Sequence, residues 1–318
     1  MSRDRLLAAM SGLLVLMATA CGGSGDGAGG GADGAADEAA GPTRSVQHAM
    51  GTTEISGTPQ RVVVLDTGEL DSVLALGVTP VGAVRADEAT GPQAYLAEQA
   101  QGVERVGTID QPNLEAIAAL QPDLILSNKV RHEELYDKFS GIAPTVFAES
   151  VGKPWKDNFR LAGEALGKQD QAERILADYR RKAEQVGQRF NDPGRTEVSM
   201  VRFMSDGIRL YGEGSFIGTI LDDAGFARPR IARTDETFVE VSREQLSRAD
   251  GDLLFHAAYG QDGASAQGQL TAGPLWQRLG AVSRGDAHKV SDDLWYLGIG
   301  PIAADLVLDD LARYAPRP

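Results

Sequence analysis

Glu115-Ala-Ile-Ala-Ala-Leu-Gln-Pro-Asp-Leu-Ile-Leu126 and Glu244-Gln-Leu-Ser-Arg-Ala-Asp-Gly-Asp-Leu-Leu-Phe255 align without a gap. Glu115 falls on Glu244, Asp123 on Asp252 and Leu124 on Leu253, and the remaining apolar positions of the final strand also coincide. In the first copy Asn113 can cap a helix running to Leu120, and Asp123 to Leu126 then reads as a strand. In the second copy the strand is Asp252 to His256. A helix-turn-strand unit that occurs twice predicts two lobes of like design.

The sequence around both copies fits α/β lobes. Arg61-Val-Val-Val-Leu65 is apolar on both faces, as a buried parallel strand is. Glu69 to Leu76 reads as a helix stopped by Gly77, Val81 to Val84 as the next strand, and Thr145 to Phe147 as another. Ala172, Ile175, Leu176, Tyr179, Ala183, Val186 and Phe190 then fall at helical spacing and stop at Asn191-Asp192-Pro193-Gly194. Beyond that breaker come strands over Glu197–Met204 and Ile208–Tyr211, a helix over Ser215–Ala224, and a C-terminal helix opened by Pro301. The fold expected is α/β: two Rossmann-like lobes with mainly parallel sheets, joined by one long helix. The divisions are a signal peptide over 1–20, a tether over 21–43, an N-terminal lobe over 44–153, a helical segment over 154–192 and a C-terminal lobe over 193–318.

Arg3 and Arg5 precede an apolar run from Leu6 to Met17, which at about 12 residues is too short to span a bilayer. This is the profile of a signal peptide. Ala18-Thr19-Ala20-Cys21 resembles the bacterial lipobox, with Ala18 where a larger aliphatic residue usually stands. The resemblance implies cleavage before Cys21 and diacylation of its sulfur with palmitate-type chains. The alternative is an ordinary secretory peptide cut after Ala20. Cys21 is the only cysteine, so no internal disulfide is available. The Gly-, Ala- and Asp-rich segment after it has no large apolar residue and would behave as a tether of roughly 25 Å reach. The net charge of −14 over 318 residues argues against nucleic-acid binding.

The stretches Gly57-Thr-Pro-Gln-Arg-Val-Val-Val-Leu65, Ala75-Leu-Gly-Val-Thr-Pro-Val-Gly-Ala83, Asn113-Leu-Glu-Ala-Ile117 with Gln121-Pro-Asp-Leu-Ile125, and Val241-Ser-Arg-Glu-Gln245 together resemble the iron-siderophore and vitamin B12 class of ABC-importer solute-binding proteins. The resemblance covers about Gly51 to Ala315. It implies a ligand cleft between the lobes, limited closure because one rigid helix joins them, and a monomer that docks on an ABC permease dimer. It also implies that Glu115 and Glu244, one per lobe, contact arginines of that permease. Their local alternative is favourable placement near a helix N-terminus.

Ligands of open α/β sheets sit beyond the carboxyl ends of the strands. Arg85 follows the Val81–Val84 strand there, and Arg202 interrupts the apolar strand Val198–Met204, where a charge needs a partner. Arg209 and Tyr211 lie on the next strand, Phe216 opens a helix after Gly212 and Gly214, Tyr259 follows His256, and Trp295 and Tyr296 precede the last helix. These eight residues are the candidate ligand contacts. Arginines can bond chelate oxygens while aromatic rings pack on its organic rim, which suits an Fe(III)-siderophore, with hydroxamates favoured over catecholates. Each arginine could instead pair with an internal acid, and Asp66 reads as structural. Cobalamin and haem remain alternatives, with Tyr259 or His256 as an axial haem ligand.

Enzyme motifs fail. In Gly212-Glu-Gly-Ser-Phe-Ile-Gly218 the residue Ile217 stands where a dinucleotide loop needs its third glycine, and Glu213 stands two before Ser215 where a nucleophile elbow needs glycine. His48, His132, His256 and His288 are scattered, so no metal site of the protein's own and no intrinsic cofactor is expected. An extracytoplasmic enzyme acting on a chelate is the remaining reading of another class, and no residue is a catalytic candidate.

Overall fold

A computed structural model describes residues 42–86 and 91–316. The signal peptide, Cys21 and most of the tether lie outside the described residues. Among the described residues no helix is long and apolar enough to cross a membrane.

The N-terminal lobe is built on β3 (Val62–Val64), β4 (Gly82–Arg85), β5 (Glu104–Thr108), β6 (Leu124–Asn128) and β7 (Thr145–Ala148), in the order β5-β4-β3-β6-β7. Every pairing is parallel. Both faces of such a sheet are covered, which is why β3, β6 and β7 are buried along their whole length and mostly apolar, with Ser127, Asn128 and Thr145 as the polar exceptions. A hairpin of β1 (Thr43–His48) and β2 (Gly51–Ser56) lies against β7, where Thr53 Oγ1 donates to Thr145 O at 2.7 Å.

The second sheet runs β10-β9-β8-β11-β12, with β8 (Val198–Phe203), β9 (Ile208–Tyr211), β10 (Phe238–Val241), β11 (Leu253–Ala258) and β12 (Ala287–Lys289). β8, β11 and β12 are parallel, whereas β9 and β10 are antiparallel. The reason is local: β8 and β9 are joined by a tight turn in which Met204 N donates to Gly207 O at 2.9 Å, and so short a link permits only an antiparallel pair.

The repeated segments do the same work in each lobe. The helix Leu114–Ala119 has Asn113 as N-cap, with Glu115 in its first turn. The second copy is a 3-10 helix over Arg243–Ala249, capped by Ser242 with Gln245 reaching back, and Glu244 in its first turn. Asp123 accepts from Gln60 N and Arg61 N at 2.7 and 2.8 Å as the chain enters β3. Asp252 accepts from Glu197 N at 2.8 Å as the chain enters β8.

The helix Gln169–Gln188 links the lobes and buries Ala172, Leu176, Tyr179, Ala183 and Val186 on one face. Gly187 on it lies so close to Ala224 O that no side chain would fit. The C-terminal helix Pro301–Arg313 returns across this helix and packs on the N-terminal lobe's helix Thr67–Ala75. There Asp71, fully buried, accepts from Ile302 N at 2.9 Å, Ala303 N at 3.0 Å and Tyr95 Oη at 2.9 Å. One lobe thereby caps a helix that belongs to the other side of the molecule. Burial raises the Asp71 carboxyl to about 6 against the pull of those three donors.

Candidate functional site

The carboxyl ends of the two sheets meet along the segment Asp292–Gly300. Thr67 Oγ1, just past β3, donates to Leu297 O at 3.2 Å, and Ala94 N, in the loop after β4, donates to Asp293 Oδ2 at 3.3 Å. Arg202, Tyr211 and Tyr259 gather at this segment, through Asp292 and Tyr296.

Arg202 and Arg209 are register partners on β8 and β9, which puts both guanidinium groups on one face of the sheet. Arg202 is 5 % exposed and closed on all sides. It grips Asp292 through Nε–Oδ1 at 2.6 Å and Nη2–Oδ2 at 2.5 Å, and donates through Nη1 to Tyr211 Oη at 3.1 Å. The rings of Tyr259 and Tyr296 lie 4.8 and 5.4 Å from its guanidinium carbon. Burial works against the Arg202 charge, but Asp292 more than offsets it, and the group stays charged beyond an ordinary arginine. Burial likewise lifts the Asp292 carboxyl despite its partner. The bidentate geometry shows which effect prevails: the pair is ionic.

Arg209 stands over the Phe238 ring at 4.2 Å and pairs across the strand with Glu240 at 3.5 Å. Its buried Nε has no hydrogen-bond acceptor among the described residues. Arg85 closes β4 in the other lobe and is half-buried; its Nη1 also lacks an acceptor among the described residues. Burial, and then the Arg105 charge beside it, lower the Arg85 pKa.

The structure therefore gathers Arg202, Arg209, Tyr211, Tyr259 and Tyr296 in one lobe and sets Arg85 in the other. Phe216 and Trp295 are not at the cleft surface, where ligand contacts were expected of them. Phe216 packs edge-on to Trp155 at 5.6 Å. Trp295 is fully buried against Phe255 at 4.8 Å, with its indole nitrogen donating to Asp310 at 3.1 Å. His256 faces Gln267 at 2.9 Å inside the C-terminal lobe, where burial lowers its pKa to about 4, so it is no axial ligand in this arrangement. Glu115 and Glu244 are both exposed. The Ser242 hydroxyl beside Glu244 holds that carboxyl below its usual range.

Sequence reasoning missed a second group. Lys129, Val130 and Arg131 line a surface depression of about 770 Å³ beyond β6 and β7, together with the acids Asp110, Glu133, Glu134 and Glu149. Val130 is 61 % exposed, an unusual position for so large an apolar side chain. Lys129 is engaged with Glu149 at 3.4 Å, and Arg131 donates to the buried Asp66 at 3.2 Å while staying 40 % exposed. The signal was there: Asn128-Lys-Val-Arg-His132 follows directly on a parallel strand.

The comparisons with known proteins agree with the fold. The family model described as periplasmic binding protein matches residues 62–289. The Bacillus subtilis protein named probable siderophore-binding lipoprotein YfiY is 41 % identical over 284 residues, covering 86 % of this chain and 87 % of its own. The chain belongs to the periplasmic binding protein family. A second relative of this binding protein, the Fe(3+)-citrate-binding protein YfmC of Bacillus subtilis, is 32 % identical over 92 % of this chain and 91 % of its own. Among solved structures, Staphylococcus aureus SirA complexed with staphyloferrin B superposes on the binding protein with a TM-score of 0.78 at 33 % identity, over 86 % of this chain and 98 % of that one.

Proposed function

We propose that this binding protein is the extracytoplasmic receptor of an ABC importer for ferric chelates, and that its ligand presents carboxylate oxygens around Fe(III), as citrate does. One observation carries the reading. Among the described residues, the buried Nη1 of Arg85 and Nε of Arg209, one in each lobe, lack a hydrogen-bond acceptor, the nearest acid to the latter being Glu240 at 3.5 Å. A charged donor left so is costly, and a chelate with several anionic oxygens would supply acceptors to both lobes at once. Arg131, 40 % exposed in the depression beyond β6 and paired with Asp66 from behind, adds a third cation. A neutral ferric tris-hydroxamate, the ligand favoured from sequence, would bring no net negative charge to these donors, so the chelate type moves to the anionic side. The names of YfmC and SirA, with their citrate and staphyloferrin B ligands, support an iron chelate.

The rest of the device follows the same reading. Diacylated Cys21 keeps the body near the membrane, since two acyl chains hold where one is marginal. Glu115 and Glu244, at equivalent places in the repeated units, meet arginines of the permease dimer. The test is a titration of the soluble body with ferric citrate, a ferric tris-hydroxamate, a ferric catecholate, haem and cobalamin. Saturable binding of ferric citrate above the hydroxamate supports the reading. Preference for the hydroxamate or for cobalamin overturns it.

A further inference from the structure

Two carboxyl groups lie buried directly behind Arg131. Asp66 caps the helix Thr67–Ala75, accepting from Thr67 N at 2.6 Å, and Glu69 follows one turn later on that helix. Asn128, at the end of β6, ties them together: its amide nitrogen donates to Asp66 Oδ2 at 3.1 Å and to Glu69 Oε1 at 3.2 Å. The same Asp66 Oδ2 accepts from Arg131 Nε at 3.2 Å. An unbroken chain of hydrogen bonds thus runs from Glu69 to the guanidinium in the depression.

The other carboxyl oxygen of Glu69 points elsewhere. Oε2 is buried with no hydrogen-bond partner among the described residues, and Glu69 lines a cavity of about 20 Å³ with Ser72, Ser127 and Asn158. No other lining residue carries a charge.

We infer that Glu69 is a positioning residue for Arg131: as a neutral acid it leaves Asp66 the one anion behind that guanidinium, and its ionisation draws Arg131 and its charge back into the lobe, away from the ligand. The inference rests on the cleft assigned above. Two carboxylates sharing one amide donor in a buried site do not both ionise readily. Burial first, and the Asp66 charge second, raise the Glu69 carboxyl to about 8, while Asn128 and Arg131 pull the other way. The groups facing Glu69 are Asp66 at the cap of its own helix, Asn128 at the end of β6, Arg131 on the short helix Lys129–His132 that follows, Ser127 on β6, and Asn158 on the helix Trp155–Ala165. Below about pH 8 the acid is neutral and Arg131 is presented; above it a second negative charge competes with the ligand for Arg131.

The test compares ferric citrate affinity in wild type and Glu69→Gln from about pH 6.5 to about pH 9, so that changes in the chelate itself cancel at each pH. The ratio of wild-type to variant Kd is expected to rise several-fold across that range. In an Arg131→Ala background the same comparison should stay flat. A flat ratio in the native background, or an equal rise without Arg131, overturns the inference while leaving the ligand class standing. Should Glu69→Gln not fold, wild type must still lose more affinity with pH than Arg131→Ala, and equal losses overturn the inference. Ferric citrate failing to bind wild type at any pH contradicts the ligand class, and the role of Glu69 with it.

Discussion

The Arg202 guanidinium uses its Nε and both terminal nitrogens inside the protein, on Asp292 and Tyr211, between two tyrosine rings. Its charge in an apolar strand was legible in the sequence; its partner was not, because Asp292 lies 90 residues further on and only the fold brings them together. Trp295 teaches the same lesson in reverse, since nothing local told that a tryptophan before the last helix would be sealed against Phe255. Arg202→Ala leaves a buried carboxylate unpaired and should cost about 3–5 kcal/mol of stability, read from denaturant unfolding, whereas replacing both partners by apolar residues should recover most of it. An Arg202→Ala protein of native stability and weakened ligand affinity would return Arg202 to the ligand. Arg85→Ala and Arg209→Ala should act the other way round. Each removes a charged donor to the ligand and should weaken ferric citrate about tenfold or more, by calorimetric titration, with little change in unfolding.

At the level of elements the repeat was the most informative feature of the sequence. It placed Glu115 and Glu244 at matching first turns and Asp123 and Asp252 at matching strand entries, and the structure reproduces both. Glu115→Ala combined with Glu244→Ala should abolish iron uptake in cells while leaving chelate affinity unchanged in solution; normal uptake would remove the docking role. The hairpin β1–β2 and the helix Gly260–Thr271 escaped sequence reading, and so did three edge strands. β5, β10 and β12 are short strands at sheet edges or next to them, mixed in polarity, because an edge has one open side. Without apolar runs they carry no signal of period two.

Across the whole molecule, the lobes are tied by the helix Gln169–Gln188 and by Asp71, which reaches from one side to cap the C-terminal helix. Gly300 must be glycine at that tie, since a side chain would run into the Asp71 carboxylate. Asp71→Ala strands two amide donors and the Tyr95 hydroxyl and should cost about 2 kcal/mol or more. Acid groups here also set a pH dependence. Glu69 rises from 4.5 to about 8 and Asp71 from 3.8 to about 6, so the stability they contribute is complete below their unfolded values and is lost as pH rises through the folded ones. His256, lowered from 6.5 to about 4, contributes in the opposite sense: its part is complete above its unfolded value and lost as pH falls towards about 4. The two senses oppose each other below about pH 6.5, and above it Glu69 acts alone. Unfolding midpoints should therefore decline from about pH 6.5 to about pH 8 in wild type and not in Glu69→Gln; parallel profiles would refute the buried neutral acid.

The central claim is that the cleft holds an anionic ferric chelate between arginines of both lobes. Calorimetric titration of the soluble body with ferric citrate, in wild type and in the Arg85→Ala/Arg209→Ala double variant, tests it most directly. The account predicts saturable one-to-one binding by wild type and its loss in a double variant that remains folded. Equal affinity in the two proteins, or binding of cobalamin or haem in place of any ferric chelate, would contradict it.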